Sequence, residues 1–237
     1  MLNLIAKPMD QVIDSYLSVN WDWTNQGRKM TSQILNSYIK NGIPQTKAAS
    51  IICKQRLNTV IRWAKKNNIK TKLPLFENIG SVKPRNRVFS MYELNIIFSS
   101  IEDEAFRDFV KFAFYTGARR GELVGLNICD FTDTYFKVEG KSGPRLVRMN
   151  KQALRASKSL KHWNYRAEYI SKRFNKELKK ARVEGRFHDL RRSFGYHLIK
   201  KGWSIYKVSK LLGHASVRTT EKHYAPFRAI DVEDFVL

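Results

Sequence analysis

The sequence predicts a mainly helical protein in two blocks. A basic, all-helical block comes first, and a mixed, mostly helical block with one small β-hairpin follows. Three observations carry this reading. Apolar residues recur at three- and four-residue spacing over most segments, the helical period. A stretch with Pro74, Gly80 and Pro84 interrupts that pattern after the first third. One segment, residues 135–149, reads as two short strands around Gly140–Pro144.

The first block, residues 1–80, predicts helices over 10–19, 28–40 and 46–67. The second ends before Gly42 and Pro44. In the third, Leu57, Val60, Ile61 and Ala64 fall on one face, while Lys54, Arg56, Arg62, Lys65 and Lys66 take other positions. Residues 67–88 read as a loose entry into a linker, assigned to 81–88. The second block, 89–237, opens at Ser90 and Glu93, which have capping-box spacing. A helix over 103–115 carries a core stripe of Phe106, Phe109, Val110, Ala113 and Phe114. TGARRG, residues 116–121, breaks and restarts helix. After the hairpin, helices are expected over 151–162, 166–181, 190–200, 204–212 and 219–225.

Charge narrows the function classes. The 237-residue chain holds 44 Lys and Arg against 21 Asp and Glu, a formal charge of +23. Self-repulsion of that size makes sense beside a polyanion. Nucleic acid is the first candidate and an anionic membrane surface the second. With 14 Phe, 10 Tyr and 5 Trp, the chain has ample core material and is no disordered basic tail. No apolar run approaches the ~18 residues that span a bilayer, and the start lacks a signal-peptide pattern. Cys53 and Cys129 read as reduced, structural thiols of an intracellular protein. The histidines include no HExxH and have no cysteine neighbours, so a structural zinc site is not expected. Residues 141–192 hold 17 Lys and Arg against 4 acidic residues, whereas the last fourteen residues are mildly acidic and end in Phe235, Val236 and Leu237. The middle suits phosphates. The tail suits protein, either its own domain or a second copy.

Four pieces stand out: TGARRGEL at 116–123, Gly140-Lys141 in the hairpin, HDLRRSF at 188–194 and LLGHASVRTTEKHYAPF at 211–227. Singly each is weak. An Arg-rich helix start is usually a solvated surface, and a lone hairpin lysine is usually exposed. Composition alone would give Tyr224, one of ten tyrosines, a core or surface role. His188 and Arg191, three apart, share a helical face or a helix mouth, which local hydrogen bonding alone would also explain.

Together the four pieces resemble the tyrosine recombinases, the phage integrase family that includes the Xer proteins. The family order is Arg, Lys, His-x-x-Arg, His or Trp, then Tyr. Arg119, Lys141, His188 with Arg191, His214 and Tyr224 match it in order and residue type. The resemblance covers residues 88–228 closely; the first block is similar to the family's helical core-binding domain only in position, size and composition. It implies the tyrosine recombinase catalytic fold and strand cleavage through a 3′-phosphotyrosine, with Tyr224 as nucleophile. The arginines would hold the phosphate, Lys141 would protonate the leaving 5′ oxygen, His188 would carry the tyrosine proton or hydrogen-bond the phosphate, and His214 would donate to a non-bridging oxygen. Neither metal nor nucleotide is required. It also implies double-stranded DNA with a core site, a homodimer on each site and a homotetrameric synapse.

The chain departs from the pattern in places. Val147-Arg148-Met149 replaces a common Val-Pro, and the GKSGPR turn is shorter than the Xer form, so Lys141 is placed less firmly than the others. The extra cations Arg120 and Arg192 are expected on backbone phosphate or in ion pairs. Glu122 would brace an arginine or cap its helix, Asp189 would orient or cap, and His223 should point away if Tyr224 enters the site. With about 80 residues before the second block, an added arm-binding domain is not expected. Integration or excision of a mobile or viral element leads. Xer-like resolution of DNA dimers and a non-catalytic accessory role are the alternatives, in a cytoplasmic or nucleoid setting.

Overall fold

A computed structural model of the chain describes residues 6–82, 85–140 and 143–228. Lys141 and the apolar tail, Phe235 to Leu237, lie outside the described residues. The chain divides into two compact units, Met1–Pro84 and Arg85–Leu237. No helix among the described residues is long and apolar enough to cross a membrane.

The first unit is three helices, α1 (Met9–Ser18), α2 (Asn25–Asn41) and α3 (Lys47–Lys66). Val12, Ile13 and Tyr16 of α1 meet Leu35 of α2 and Cys53, Leu57, Val60 and Ala64 of α3 in one buried cluster. α2 starts three residues earlier than its apolar pattern indicates. Thr24 precedes it, and its hydroxyl accepts from the Gly27 N–H at 3.2 Å, supplying the missing cap. The stretch after α3 is less loose than expected. The buried Asn58 amide donates to the Phe76 carbonyl at 2.8 Å and accepts from the Phe76 N–H at 2.9 Å. Ile69, Leu73 and Phe76 pack against the same core. A side-chain amide that pairs with both the N–H and the C=O of one residue holds residues 69–76 to the helices.

The second unit begins with α4 (Met91–Ser100), α5 (Glu104–Thr116) and the four-residue α6 (Arg120–Leu123). Both bonds of the expected capping box form: Ser90 Oγ accepts from the Glu93 N–H, and Glu93 accepts from the Ser90 N–H. The hairpin β1 (Tyr135–Gly140) and β2 (Gly143–Arg148) is antiparallel, with Phe136 opposite Val147 and Val138 opposite Arg145. Pairing continues to Gly140 opposite Gly143, inside the 140–144 span expected for the tip.

Next come α7 (Lys151–Ala156), a 3₁₀ turn over Ser157–His162, α8 (Ala167–Lys180), α9 (Phe187–Lys200), α10 (Ile205–Leu212) and α11 (Val217–Arg228). Three helices differ from expectation. The helix expected over 151–162 ends at Ala156 and continues only as the 3₁₀ turn. α9 starts at Phe187 because the Asp189 carboxylate accepts from the Arg186 N–H at 2.9 Å, and α11 is longer than 219–225. The core gathers around α5, whose predicted stripe is buried against Phe136, Trp163, Phe174 and Phe187. Phe89, Phe106, Phe109, Phe112, Phe136 and Phe174 are among its fully buried side chains. Each contributes roughly 1.5–3 kcal/mol by leaving water. Such burial, rather than helix propensity, sustains an element as short as α6.

Candidate functional site

Two helices of the second unit end where the candidate residues gather. α5 stops at Thr116 with Gly117 as its cap, and α10 stops at Leu212 with Gly213 as its cap. Both glycines are left-handed, at φ 61° and 64°. Helix C-termini expose unpaired carbonyls and the negative end of the helix dipole, a natural seat for a cation. Arg191 takes that seat. Its Nη1 donates to the Gly117 carbonyl and its Nη2 to the Leu212 carbonyl, each at 2.6 Å. The residue is 4% exposed. Burial first, then the charges of Arg119 and Arg145, push its pKa down to about 9, so it stays a cation at neutral pH.

Arg119 caps α6 and reaches the same α10 end, donating from Nη2 to the Gly213 carbonyl at 2.9 Å. Nη1 donates to Glu122 Oε1 at 2.7 Å. Glu122 therefore does both things anticipated of it: it also accepts from the Arg119 backbone N–H at 2.7 Å, closing the cap. Burial raises its pKa, but hydrogen bonds from Arg145 and Arg119 outweigh this and hold it at about 2.

His188 lies in the first turn of α9, three residues before Arg191. Its side chain is open to solvent. The protein mass around it, then Arg191 and Arg192, lower its pKa, and the positive end of the helix adds the same bias. His214 follows the Gly213 cap. Burial first, then Arg191 and Arg119, push its pKa down to about 4. Both imidazoles are neutral at pH 7. His214 Nδ1 pairs with the buried Thr220 hydroxyl at 2.7 Å.

Tyr224 is buried beside this group. It is 2% exposed and packs with Val208 and Leu212. Burial pushes its pKa up to about 12, against the pull of Arg191 and Arg192. His223, expected to point elsewhere if Tyr224 entered, instead interacts electrostatically with His188, His214, Arg191 and Arg192. Its Nδ1 is buried without a hydrogen bond. The neighbouring extras have local partners. Arg120 donates to Ser171 of α8, Arg192 pairs with Asp189 at 3.0 Å, and Asp189 caps α9.

Thus Arg119, His188, Arg191 and His214 converge, Tyr224 is adjacent but buried, and Lys141 lies outside the described residues. Sequence reading missed Arg145 and Thr220. Arg145 was within reach of strand alternation: it stands two positions before the buried Val147 and so shares the inward face of β2. Thr220 carried no signal, because its partnership with His214 depends on how α11 folds back.

The second unit is therefore a helical catalytic-type domain with one hairpin, in which two helix ends seat an arginine–histidine cluster beside a tyrosine helix. The chain belongs to the phage integrase family, whose pattern matches residues 91–229. It is 32% identical over 155 residues to the tyrosine recombinase XerD of Bifidobacterium longum, covering 52% of this chain and 50% of that protein. It is 30% identical over 142 residues to XerC of Proteus mirabilis, covering 48% of this chain and 45% of that protein. The chain spans about half the length of the curated relatives it matches.

Among solved structures, the fold is similar to lambda integrase (75–356) in a dimer bound to a COC′ core site. The TM-score is 0.78 at 17% identity, covering 96% of this chain and 99% of that one. It is also similar to the Tn1549 transposon integrase in complex with transposon right end DNA. There the TM-score is 0.75 at 13% identity, covering 94% of this chain and 99% of that one. At these identities the likeness is one of fold.

Proposed function

We propose that this protein is a site-specific DNA recombinase that cuts and rejoins strands through a 3′-phosphotyrosine. The observation that carries the reading is the convergence of Arg119 and Arg191, two guanidiniums on neighbouring helix-end carbonyls, with two neutral imidazoles beside them. Guanidinium forks match phosphate oxygens and stabilise charge that grows on them in the transition state. A neutral His188 can accept the Tyr224 phenol proton. If the Thr220 hydroxyl donates to His214 Nδ1, His214 Nε2 carries a proton to give to a non-bridging oxygen. The Tyr224 oxygen attacks phosphorus, the bond to the 5′ oxygen breaks, and Lys141 is assigned the proton for that oxygen. The new ester keeps the bond energy, so a second strand's 5′ hydroxyl can reverse the step. The buried Tyr224 means that cleavage requires α11 to shift first.

The basic first unit, with Arg62, Lys65 and Lys66 exposed on α3, is assigned to phosphate contacts with the duplex. A homodimer on each core site and a tetrameric synapse are the assembly proposed. The structural relatives named as a dimer on a core site and as a tetramer on a Holliday junction support it. Integration or excision of a mobile element, in a DNA-bearing compartment such as the cytoplasm or nucleoid, is the process favoured. The similarity to XerD and XerC keeps dimer resolution as the second reading.

The test is covalent capture. Full-length protein is incubated with duplex fragments of the DNA flanking its gene, denatured, and the DNA attached to protein is sequenced. An adduct at one position, absent with Tyr224→Phe, supports the reading. No adduct, or an adduct with Tyr224→Phe, overturns it. Salt-sensitive binding without cleavage would identify an accessory DNA-binding protein instead.

A further inference from the structure

Arg145 takes no step in that chemistry, yet it is built into the site. From β2 it grips both Glu122 oxygens, Nε donating to Oε1 at 2.9 Å and Nη2 to Oε2 at 2.7 Å. Arg119 supplies the other two donors, its Nη1 to Oε1 and its backbone N–H to Oε2, each at 2.7 Å. Four donors meet one carboxylate, so its lone-pair directions are filled. The Arg145 side chain is 18% exposed and that of Arg119 38%. Of the two guanidiniums, Arg119 is the one more open to solvent.

That division has a physical consequence. A buried carboxylate that loses half its donors is costly, and the structure around it responds. Without Arg145, Arg119 would be the cation left beside Glu122. Its low-energy answer would be a two-pronged fork on the carboxylate, with both Nη atoms committed there. It would leave the Gly213 carbonyl and turn away from the open side. With Arg145 in place, Arg119 spends one Nη on Glu122 and the other on Gly213, and its remaining N–H groups stay available. Gly213 adds a second, independent observation. A β-carbon there would come within 2.9 Å of Arg145 Cδ, Nε and Nη1, while its carbonyl is the one Arg119 uses. One backbone position thus makes room for Arg145 and anchors Arg119.

We propose that Arg145 is a positioning residue: by saturating Glu122 it keeps Arg119 on a single carboxylate contact and leaves its outer N–H groups facing the scissile phosphate. The claim rests on the recombinase reading, and the experiment separates the two. Full-length wild type, Arg145→Met, Arg145→Lys, Glu122→Gln and the Arg145→Met/Glu122→Gln double variant are assayed. The probe is a nicked duplex spanning the position where wild type is captured.

Arg145→Met is expected to slow adduct formation at saturating DNA by about 10- to 100-fold, the usual scale for partners that orient a functional group. The DNA concentration giving half the maximal rate is expected to stay unchanged. Arg145→Lys, which keeps the charge but loses the fork, should fall in between. The double variant should be no slower than Glu122→Gln alone, because Arg145 acts through Glu122. A wild-type rate in folded Arg145→Met overturns the proposal, as does a double variant slower by the full Arg145→Met factor. Should Arg145→Met fail to fold, Arg145→Lys decides, and a wild-type rate there overturns it equally.

If wild type gives no adduct, the recombinase reading fails, and the positioning claim is judged by nitrogen-15 spectra of arginine side chains in the free protein. A displaced Arg119 Nε resonance in Arg145→Met, partly restored in Arg145→Lys, upholds it. An unmoved resonance overturns it.

Discussion

The Tyr224 hydroxyl lies over the α-carbon of Gly195, so close that a β-carbon there would sit 2.2 Å from the oxygen. Glycine on α9 is what admits the ring, and the ring is what closes the gap between α9 and α11. Gly195→Ala should therefore expel the tyrosine. We expect a stability loss of about 1–3 kcal/mol from overpacking. We also expect the Tyr224 phenol to titrate from about 12 down toward the ordinary 10. Ultraviolet titration of Gly195→Ala against the same protein carrying Tyr224→Phe isolates that one phenol; an unchanged high value would contradict the packing argument.

Arg191 bridges the ends of α5 and α10 through two 2.6 Å bonds. Lysine is a point charge on a flexible stem and cannot span two carbonyls while facing a phosphate. Arg191→Lys should cut adduct formation by roughly 100-fold or more and lower the thermal midpoint. Single-turnover kinetics beside a melting curve checks both.

Acid should weaken the fold in two separate windows. The folded pKa of His214, about 4, lies below its ordinary 6.5, so the unfolded chain binds more protons between those values. Its contribution is present above pH 6.5 and drains away as pH falls toward 4. Allowing for partial exposure, it accounts for about 1–2 kcal/mol between pH 7 and 5. Glu122, held at about 2 against an ordinary 4.5, contributes above pH 4.5 and loses that contribution as pH falls through 2. Urea melts across pH should show His214→Gln reducing the slope of the upper window, to which His188, His197 and His223 also contribute, without touching the lower one, and Glu122→Gln reducing the lower one alone.

Asn58 pairs with the Phe76 carbonyl at 2.8 Å and with the Phe76 N–H at 2.9 Å. Asn58→Leu removes both partners and leaves the Phe76 N–H and C=O unpaired. The first unit should lose about 1–3 kcal/mol. Amide exchange at residues 69–76 should quicken, while that of α9 stays the same.

Local chemistry was legible in the order of residues. Ser90 and Glu93 announced the start of α4, and the phenylalanine stripe of α5 announced its buried face, because caps and helical periods act over three or four positions. His188 and Arg191 shared a face for the same reason. The start of α9 was misjudged because its cap comes from Asp189, inside the apolar pattern rather than before it. Glu122 could be named as a brace or a cap, but nothing near it in sequence said which arginines it would hold.

The sequence by itself determined which residue types are present, their order, and the helices that carry them. Only the tertiary structure decided how they are held. Arg191 finds its carbonyls 74 and 21 residues away, and Arg145 meets Glu122 across 23 residues. Those partners exist because packing around α5 brings two helix ends and one strand face to a common point. Tyr224 is likewise buried by the fit of α11 against Gly195, a relation between two helix surfaces that no spacing along either one contains.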